Sequence, residues 1–509
     1  MLVDSLLHLV RASVAAVTLC WLAGCGTIQS IQLPDENAYA PADNAVWAAV
    51  GEVRAHDWGV VLNVGDEALE WRLRLIDSAT KSIDLQTFLW YDDQVGLLLL
   101  RHLMDAADRG VRVRLLLDDT YTATHAEAIW DIDHHPNVEY RVYNPYRRRI
   151  HSMVLRQLMN LGDFGRLDHR MHNKIIIADN RASILGGRNL ADEYFGWHEE
   201  ANFRDLELLT VGPRVQELSD LFDEYWNNDW SFPEAMVNYR SGALRTPEEF
   251  ELWLRETAPR RLDESVSQQV AEWRDLAAEG LQFPYRVIAD TPAPTRPELA
   301  DEFPNQLAQE LVVAFDQAQQ DMLIVTAYLI PTPELEAALE RATARGVRVT
   351  ILTNSLRSNN HLSAHSAYRK HIRHLLEIGV DLYEVRTWAK DRGRYMQEPV
   401  DTKHLGLHAK FALIDDRISF VGSANLDPRS LRLNTEMSLL VDSPELNAEL
   451  RDLLGVDFLL RNAWHLQLQP NGSVHWFGDD GIELKHQPAD SNLQRLEDWF
   501  FSVLPEGQL

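Results

Sequence analysis

Two short runs hold the residues most able to do chemistry. Residues 172–179 read His172-Asn173-Lys174-Ile175-Ile176-Ile177-Ala178-Asp179, and 408–415 read His408-Ala409-Lys410-Phe411-Ala412-Leu413-Ile414-Asp415. Each has the form H-x-K-x4-D, and the second lies 236 residues after the first. A glycine-centred turn follows each: Gly186-Gly187-Arg188-Asn189 and Gly422-Ser423-Ala424-Asn425. Asn and Ser side chains there can donate to a phosphate oxygen. Two copies facing each other would place two His, two Lys and two Asn around one anion. That set suits a phosphodiester. Lysines balance its charge, and imidazoles serve as nucleophile and as general acid or base near neutral pH.

The elements that must position these residues are also repeated. Arg109-Gly110-Val111-Arg112-Val113 recurs as Arg345-Gly346-Val347-Arg348-Val349, at the same offset of 236. An apolar-faced helix precedes each run, Leu97 to Ala107 and Leu335 to Ala344, and Gly110 and Gly346 sit where a helix ends in a left-handed residue. Strands follow, Val111 to Leu117 and Val347 to Leu352. Further apolar strands precede the helices, Ile83 to Trp90 and Met322 to Ile330. This alternation implies an α/β sheet covered on both faces. The apolar residues after Lys174 and Lys410 predict buried strands. On a strand, residues i and i+2 share a face, so each His–Lys pair would project together. Asp179 and Asp415 would end those strands at a turn.

Taken together, these motifs resemble the paired HKD signatures of the phospholipase D superfamily, and within it the bacterial cardiolipin synthases of the C type. The resemblance runs from about residue 66 to near the C-terminus. Supporting stretches are Arg170-Met171-His172-Asn173-Lys174, Asn425-Leu426-Asp427-Pro428-Arg429-Ser430 and Asn434-Thr435-Glu436. It implies two pseudo-twofold-related domains, each a mixed sheet flanked by helices, with the active site at their interface. It implies phosphatidyl transfer between phospholipids through a phosphohistidine, with His172 as nucleophile and His408 as acid and base; pseudosymmetry permits the reverse order. Lys174, Lys410, Asn189 and Asn425 would hold phosphate oxygens, Ser423 would add a contact that Gly187 cannot, and Asp205 and Glu436 would orient the imidazoles. Asp179 and Asp415 complete the catalytic signatures, although they read more as strand-end residues than as proton carriers. No metal and no cofactor is implied. Hydrolysis by the same intermediate is the main rival; a nuclease or a silent lipid-binding lipoprotein follow.

Length and charge frame this reading. The chain has 509 residues, 49 Lys+Arg and 77 Asp+Glu, a net charge of −28. That balance argues against a nucleic-acid partner bound through bulk charge. No internal apolar run reaches the ~18–20 residues of a spanning helix. The acidic excess is uneven: residues 213–305 carry 19 acidic residues against nine Arg, whereas residues 141–174 carry a net +6. The basic segment interleaves Arg147, Arg148 and Arg149 with Leu155, Leu158 and other apolar residues, a pattern suited to an anionic lipid surface. Both cysteines, Cys20 and Cys25, fall in the first 25 residues. Leu22-Ala23-Gly24-Cys25 resembles the lipobox of bacterial lipoproteins. It implies cleavage before Cys25, lipidation there, and a periplasm-facing protein anchored in the cell envelope; Gly26 favours the outer membrane. The expected organisation is a signal peptide over 1–24, a tether over 25–65 and a first domain over 66–230. An acidic helical connector over 231–300 and a second domain over 301–509 follow. Phospholipids and a membrane surface are the expected partners.

Overall fold

The computed structural model describes residues 28–125, 132, 135–150, 152–237, 245–258, 260–292, 305–489, 491 and 494. Two mixed sheets dominate it. In the first half the strands are β1 (Trp58–Leu62), β2 (Ser82–Thr87), β3 (Arg112–Asp118), β4 (Val138–Tyr143), β5 (Ile175–Ala178), β6 (Ala182–Gly186), β7 (Ala201–Arg204), β8 (Glu207–Val211), β9 (Ser231–Pro233) and β10 (Leu281–Gln282). In the second they are β11 (Tyr285–Ala289), β12 (Asp321–Val325), β13 (Arg348–Asn354), β14 (Asp381–Val385), β15 (His404–Leu407), β16 (Phe411–Ile414), β17 (Ile418–Gly422), β18 (Met437–Asp442), β19 (Ala463–Leu468), β20 (Val474–Phe477) and β21 (Glu483–Leu484).

The first sheet runs β10-β1-β8-β6-β5-β2-β3-β4-β9 and the second β11-β18-β17-β16-β12-β13-β14-β19-β20-β21. From β1 to β9 and from β11 to β19 the two orders correspond strand for strand. The duplication seen in the sequence is therefore a duplication of topology. In each sheet three parallel strands, β2-β3-β4 or β12-β13-β14, join an antiparallel set that carries the His–Lys runs. Helices α1 (Ala45–Val53), α2 (Gly65–Ser78) and α3 (Gln94–Asp108) belong to the first half. Asp93 caps α3 by accepting from Gly96 N at 3.0 Å. Gly110 and Gly346 have φ of +93° and +87°, as the left-handed end of a helix requires.

The halves share a core. One cluster of buried residues takes Ile175, Ile177, Leu185 and Leu208 from the first sheet and Phe411, Leu413, Val421 and Leu439 from the second. Helices α4 (Val215–Trp226) and α5 (Pro444–Gly455) add Leu218, Phe222, Tyr225 and Trp226, and Leu446, Leu450 and Leu454. Each sheet has a separate core on its other face. Strand β7 pairs in parallel with β15, tying one half's backbone to the other's.

Two boundaries differ from expectation. Residues 45–62 form α1 and β1 and belong to the first unit, not to a tether. Trp47 and Val50 turn a buried face onto Trp273, with the Trp47 and Trp273 rings 5.0 Å apart. The connector is also divided. Its helices, Pro247–Thr257 and Val266–Glu279, pack Phe250, Leu254, Trp273 and Leu276 into the first half's outer core. Strand β10 joins the first sheet, and β11 already belongs to the second. Charge composition marked this segment as distinct, but its apolar residues decide where it packs. Residues 1–27, and with them Cys25 and the lipoprotein signal, lie outside the described residues. Among the described residues no helix is long and apolar enough to cross a membrane.

Candidate active site

Each histidine sits just ahead of its sheet strand, held by backbone from the opposite half. His172 N donates to Thr435 O at 2.9 Å, and Thr435 N donates to Arg170 O at 2.9 Å. His408 N donates to Arg204 O at 2.9 Å, at the end of the β7–β15 pair. The side chains cross as well. His172 Nδ1 lies 2.9 Å from both Glu436 carboxylate oxygens, and His408 Nδ1 lies 2.7 Å from Asp205 Oδ2. Each half thus supplies the carboxylate that orients the other half's imidazole. When ionised, each carboxylate accepts, so the ring then carries its proton on Nδ1 and leaves Nε2 for chemistry. Aromatic edges hold the rings: Phe88 meets His172 and Tyr194 meets His408, both at 4.9 Å between centroids. Both histidines line one cavity of about 610 Å³, and Asn189 and Asn425 stand in its wall.

Other expected residues are placed differently. Ser423 does not line this cavity. Its Oγ donates to Glu436 Oε2 and accepts from Met437 N, so it supports an orienting carboxylate instead of contacting substrate. Gly187 holds the equivalent place in the first half. A Cβ there would stand 2.6 Å from Asp205 Oδ2 and 2.8 Å from its Cγ, so the shorter carboxylate occupies the space that Ser423 fills.

Lys174 and Lys410 lie one layer behind the wall. Lys174 Nζ donates to His172 O at 2.7 Å, and Lys410 Nζ donates to His408 O. Asp179 and Asp415 are not in the cavity wall. They stand at the far ends of β5 and β16 with φ of +55° and +52°. Asp179 accepts from the backbone of Thr80, Lys81 and Ser82 at 2.7–3.1 Å and from Trp47 Nε1 at 2.9 Å. Asp415 accepts from the backbone of Gln319, Gln320 and Asp321 at 2.7–3.2 Å. Each fastens the loop that enters the neighbouring parallel strand, a structural task and not a catalytic one.

The arginine-rich segment is largely neutralised internally. Arg149 pairs with Asp119 at 2.9 Å, Arg170 with Asp118 at 3.3 Å, Arg141 with Glu36 at 2.9 Å, and Arg166 with Asp163. Arg156 is buried and donates to Thr120 O at 2.6 Å. Three of the neutralising carboxylates, Glu36, Asp118 and Asp119, lie outside residues 141–174, so a count within the window missed them. On the helix Met153–Met159, Leu155 and Leu158 are 51% and 56% exposed, while Gln157 lines the cavity. Apolar contact, rather than a basic face, is what this segment offers outward.

Burial dominates the electrostatics. It pushes the Lys174 ammonium down to about 7, with Lys410 adding repulsion, and Lys410 down to about 8. Burial and the lysine charges also lower both imidazoles, His408 to about 3. The carboxylates diverge. Burial raises Glu436 to about 7 despite Lys174 and the Ser423 hydroxyl. At Asp205, burial is outweighed by the His408 contact and by Lys410 and Arg188, which hold it well below the usual carboxylate range. A phosphodiester anion would offset the lysine charges and return an imidazolium to the site.

The sequence pattern does not single out the aromatic walls: Phe88, Tyr91 and Tyr328 come from loops or a strand end, Tyr121 from the short helix Asp119–His125 and Tyr194 from a 3-10 turn, with no common spacing. Arg429, which reaches Asp168 across the halves at 2.9 Å, lay in a stretch already marked by resemblance.

Comparison with known proteins agrees with this architecture. The family described as "Cardiolipin synthase, PLD-like domain" matches residues 73–226 and 311–455, one match in each half. Cardiolipin synthase C of Escherichia coli (strain K12) is 34% identical over 448 residues, covering 86% of this chain and 93% of its own. Cardiolipin synthase B of the same strain is 25% identical and covers 77% of this chain and 78% of its own. Among solved structures, the phosphatidylserine synthase of Haemophilus influenzae Rd KW20 has a TM-score of 0.57. It covers 90% of this chain and 98% of its own at 15% identity, and so speaks for the fold. With both halves matched and a paired-histidine site between them, the chain belongs to the cardiolipin synthase, phospholipase D-like domain family and is a phosphatidyltransferase of the phospholipase D type.

Proposed function

We propose that the protein makes cardiolipin by moving a phosphatidyl group from phosphatidylethanolamine or phosphatidylglycerol to the free hydroxyl of a phosphatidylglycerol. The observation that carries this is the pair of imidazoles facing one cavity, each with Nδ1 on a carboxylate. In the first step His172 Nε2 attacks phosphorus, the bond to the headgroup oxygen breaks, and that oxygen takes a proton from His408 Nε2. In the second step His408 Nε2 takes the acceptor's hydroxyl proton, the oxygen attacks phosphorus, and the bond to His172 breaks.

The unequal carboxylates favour this order. The group that must begin as an acid needs its imidazolium stabilised, and Asp205, ionised throughout the working range, does that better than Glu436 at about 7. Lys174 and Lys410 balance the phosphate charge from behind the histidines, and Asn189 and Asn425 donate to its oxygens. Leu155 and Leu158 lie on the same helix as a cavity-lining residue, which suits a cavity that opens onto a bilayer. Lipidation of Cys25 would anchor the enzyme to a periplasm-facing membrane surface of the bacterial envelope. Labelled phosphatidylglycerol, with and without phosphatidylethanolamine, tests the reading by lipid chromatography. Cardiolipin is the expected product, and His172→Ala and His408→Ala should each abolish it. Phosphatidic acid alone would make the enzyme a hydrolase, and either alanine variant at near wild-type rate would break the two-histidine scheme.

A further inference from the structure

Three carboxylates line the catalytic cavity: Asp168, Glu193 and Asp427. Asp168 is bound by Arg429 at 2.9 Å. Asp427 is enclosed and accepts from Ser430 N at 2.8 Å. Glu193 differs: among the described residues its carboxylate makes no hydrogen bond and no ion pair. Its position is nonetheless fixed. Glu193 lies in a 3-10 turn, Asp192–Tyr194. Asp192 Oδ1 accepts from Val95 N at 2.7 Å, and Asp93 Oδ2 accepts from Asp192 N at 2.7 Å. Those two acids are used in fastening the turn to α3, which leaves Glu193 to face the cavity.

The surroundings of Glu193 are aromatic. Tyr91, Tyr121, Tyr194 and Tyr328 line the same cavity, and burial, with Asp192 adding repulsion, raises the Glu193 carboxyl to about 7. The Tyr91 and Tyr121 rings are 6.3 Å apart, and Phe88 meets Tyr121 edge-on at 5.5 Å. A carboxylate in a cavity wall with no counter-charge beside it is complementary to a cation. With an ammonium it forms a charge-assisted hydrogen bond, roughly twice as strong as one between neutral partners. A glycerol headgroup presents hydroxyls alone and gains no charge pairing. His172, His408 and Glu193 all border the one cavity.

We infer that Glu193 is a specificity residue that binds the primary ammonium of the donor headgroup and makes an ethanolamine phospholipid the preferred donor over a glycerol one. This rests on the transfer reading above and deepens it by naming the group that selects the leaving alcohol.

The test uses the full chain on mixed vesicles of phosphatidylethanolamine and phosphatidylglycerol, measuring released ethanolamine and glycerol separately. Glu193→Gln should lower the ratio of kcat/KM for ethanolamine release to that for glycerol release by about tenfold or more. Glu193→Asp, which keeps the charge, should restore part of that ratio. A merely structural role would lower both releases together. An unchanged or increased ratio in Glu193→Gln therefore overturns the inference. The transfer reading fails separately. If the wild type yields phosphatidic acid without cardiolipin, and the headgroup ratio still falls in Glu193→Gln, the inference stands without transfer. Release of neither headgroup by the wild type overturns both.

Discussion

Replacing Gly187 by alanine should disarm His408 without altering it. The new Cβ would stand 2.6 Å from Asp205 Oδ2, the atom that lies 2.7 Å from His408 Nδ1. That is well inside van der Waals contact, so the carboxylate must move. It has little freedom to do so, since Oδ1 also accepts from Leu206 N at 2.8 Å and the residue is 1% exposed. Losing a hydrogen bond to a charged group costs ~1.5–3 kcal/mol. Borne wholly by the transition state, that lowers kcat about 10- to 150-fold. The assay compares two donors. Phosphatidylglycerol has a basic leaving alkoxide that needs His408 as acid. Bis(p-nitrophenyl) phosphate has a weakly basic leaving group, so the burst of nitrophenolate should lose much less. Wild-type kcat on phosphatidylglycerol would refute the crowding argument. An equal loss on both donors would refute His408 as the acid of the first step.

Three further outcomes follow from the geometry. Asp179→Ala should cost about 3 kcal/mol, since Asp179 is buried and its loss also strands Ser82 N and Trp47 Nε1 away from water, whereas Asp415→Ala should cost about 1 kcal/mol because Asp415 is partly exposed and water can reach the Gln319 and Gln320 amides. Urea midpoints measure this, and a larger loss for Asp415→Ala would count against it. A lysine pushed down loses its charge above its lowered value, so with Lys174 at about 7 and Lys410 at about 8 the field that attracts phosphate fades as pH rises. Accordingly kcat/KM, which reports the free enzyme, should fall between pH 7 and 9; a flat profile there would contradict it. Leu155→Asp with Leu158→Asp should weaken binding to lipid vesicles severalfold in a sedimentation assay, and undiminished binding would remove that helix from the membrane face.

The sequence made the duplication legible because each element was repeated with its chemistry. The strands after Lys174 and Lys410 are strands because β-branched and apolar residues run there without interruption, and both are buried on the shared core. The partnership of each histidine was not legible. Asp205 and Glu436 were identified as the orienting residues, but which half each serves depends on β7 crossing to pair with β15, a contact between segments about 200 residues apart. Nor could composition find β1, or show where the expected helices of the connector pack, because their apolar residues are buried by elements distant in sequence. The arginine run misleads for the same reason: of its neutralising carboxylates, Asp118 ends β3 and Asp119 follows it, and both come into range only through folding.

Two near-equal half-sites must still do unequal work, and the inequality traces to one backbone position. Both halves place a carboxylate two residues before the strand residue that pairs with Gly186 or Gly422: Asp205 before Glu207, and Glu436 before Ser438. The longer Glu436 leaves room for the Ser423 side chain, which donates to it; the shorter Asp205 occupies the space above Gly187. The His408 contact, with Lys410 and Arg188, outweighs burial at Asp205, whereas Lys174 and the Ser423 hydroxyl do not outweigh it at Glu436. One carboxylate is therefore held well below the usual carboxylate range, and the other is raised to about 7. An exchange of Gly187 and Ser423 would not simply mirror the site, because a side chain at 187 collides with Asp205 before it can donate to it. Each half therefore carries a matched pair, Ser423 with Glu436 and Gly187 with Asp205.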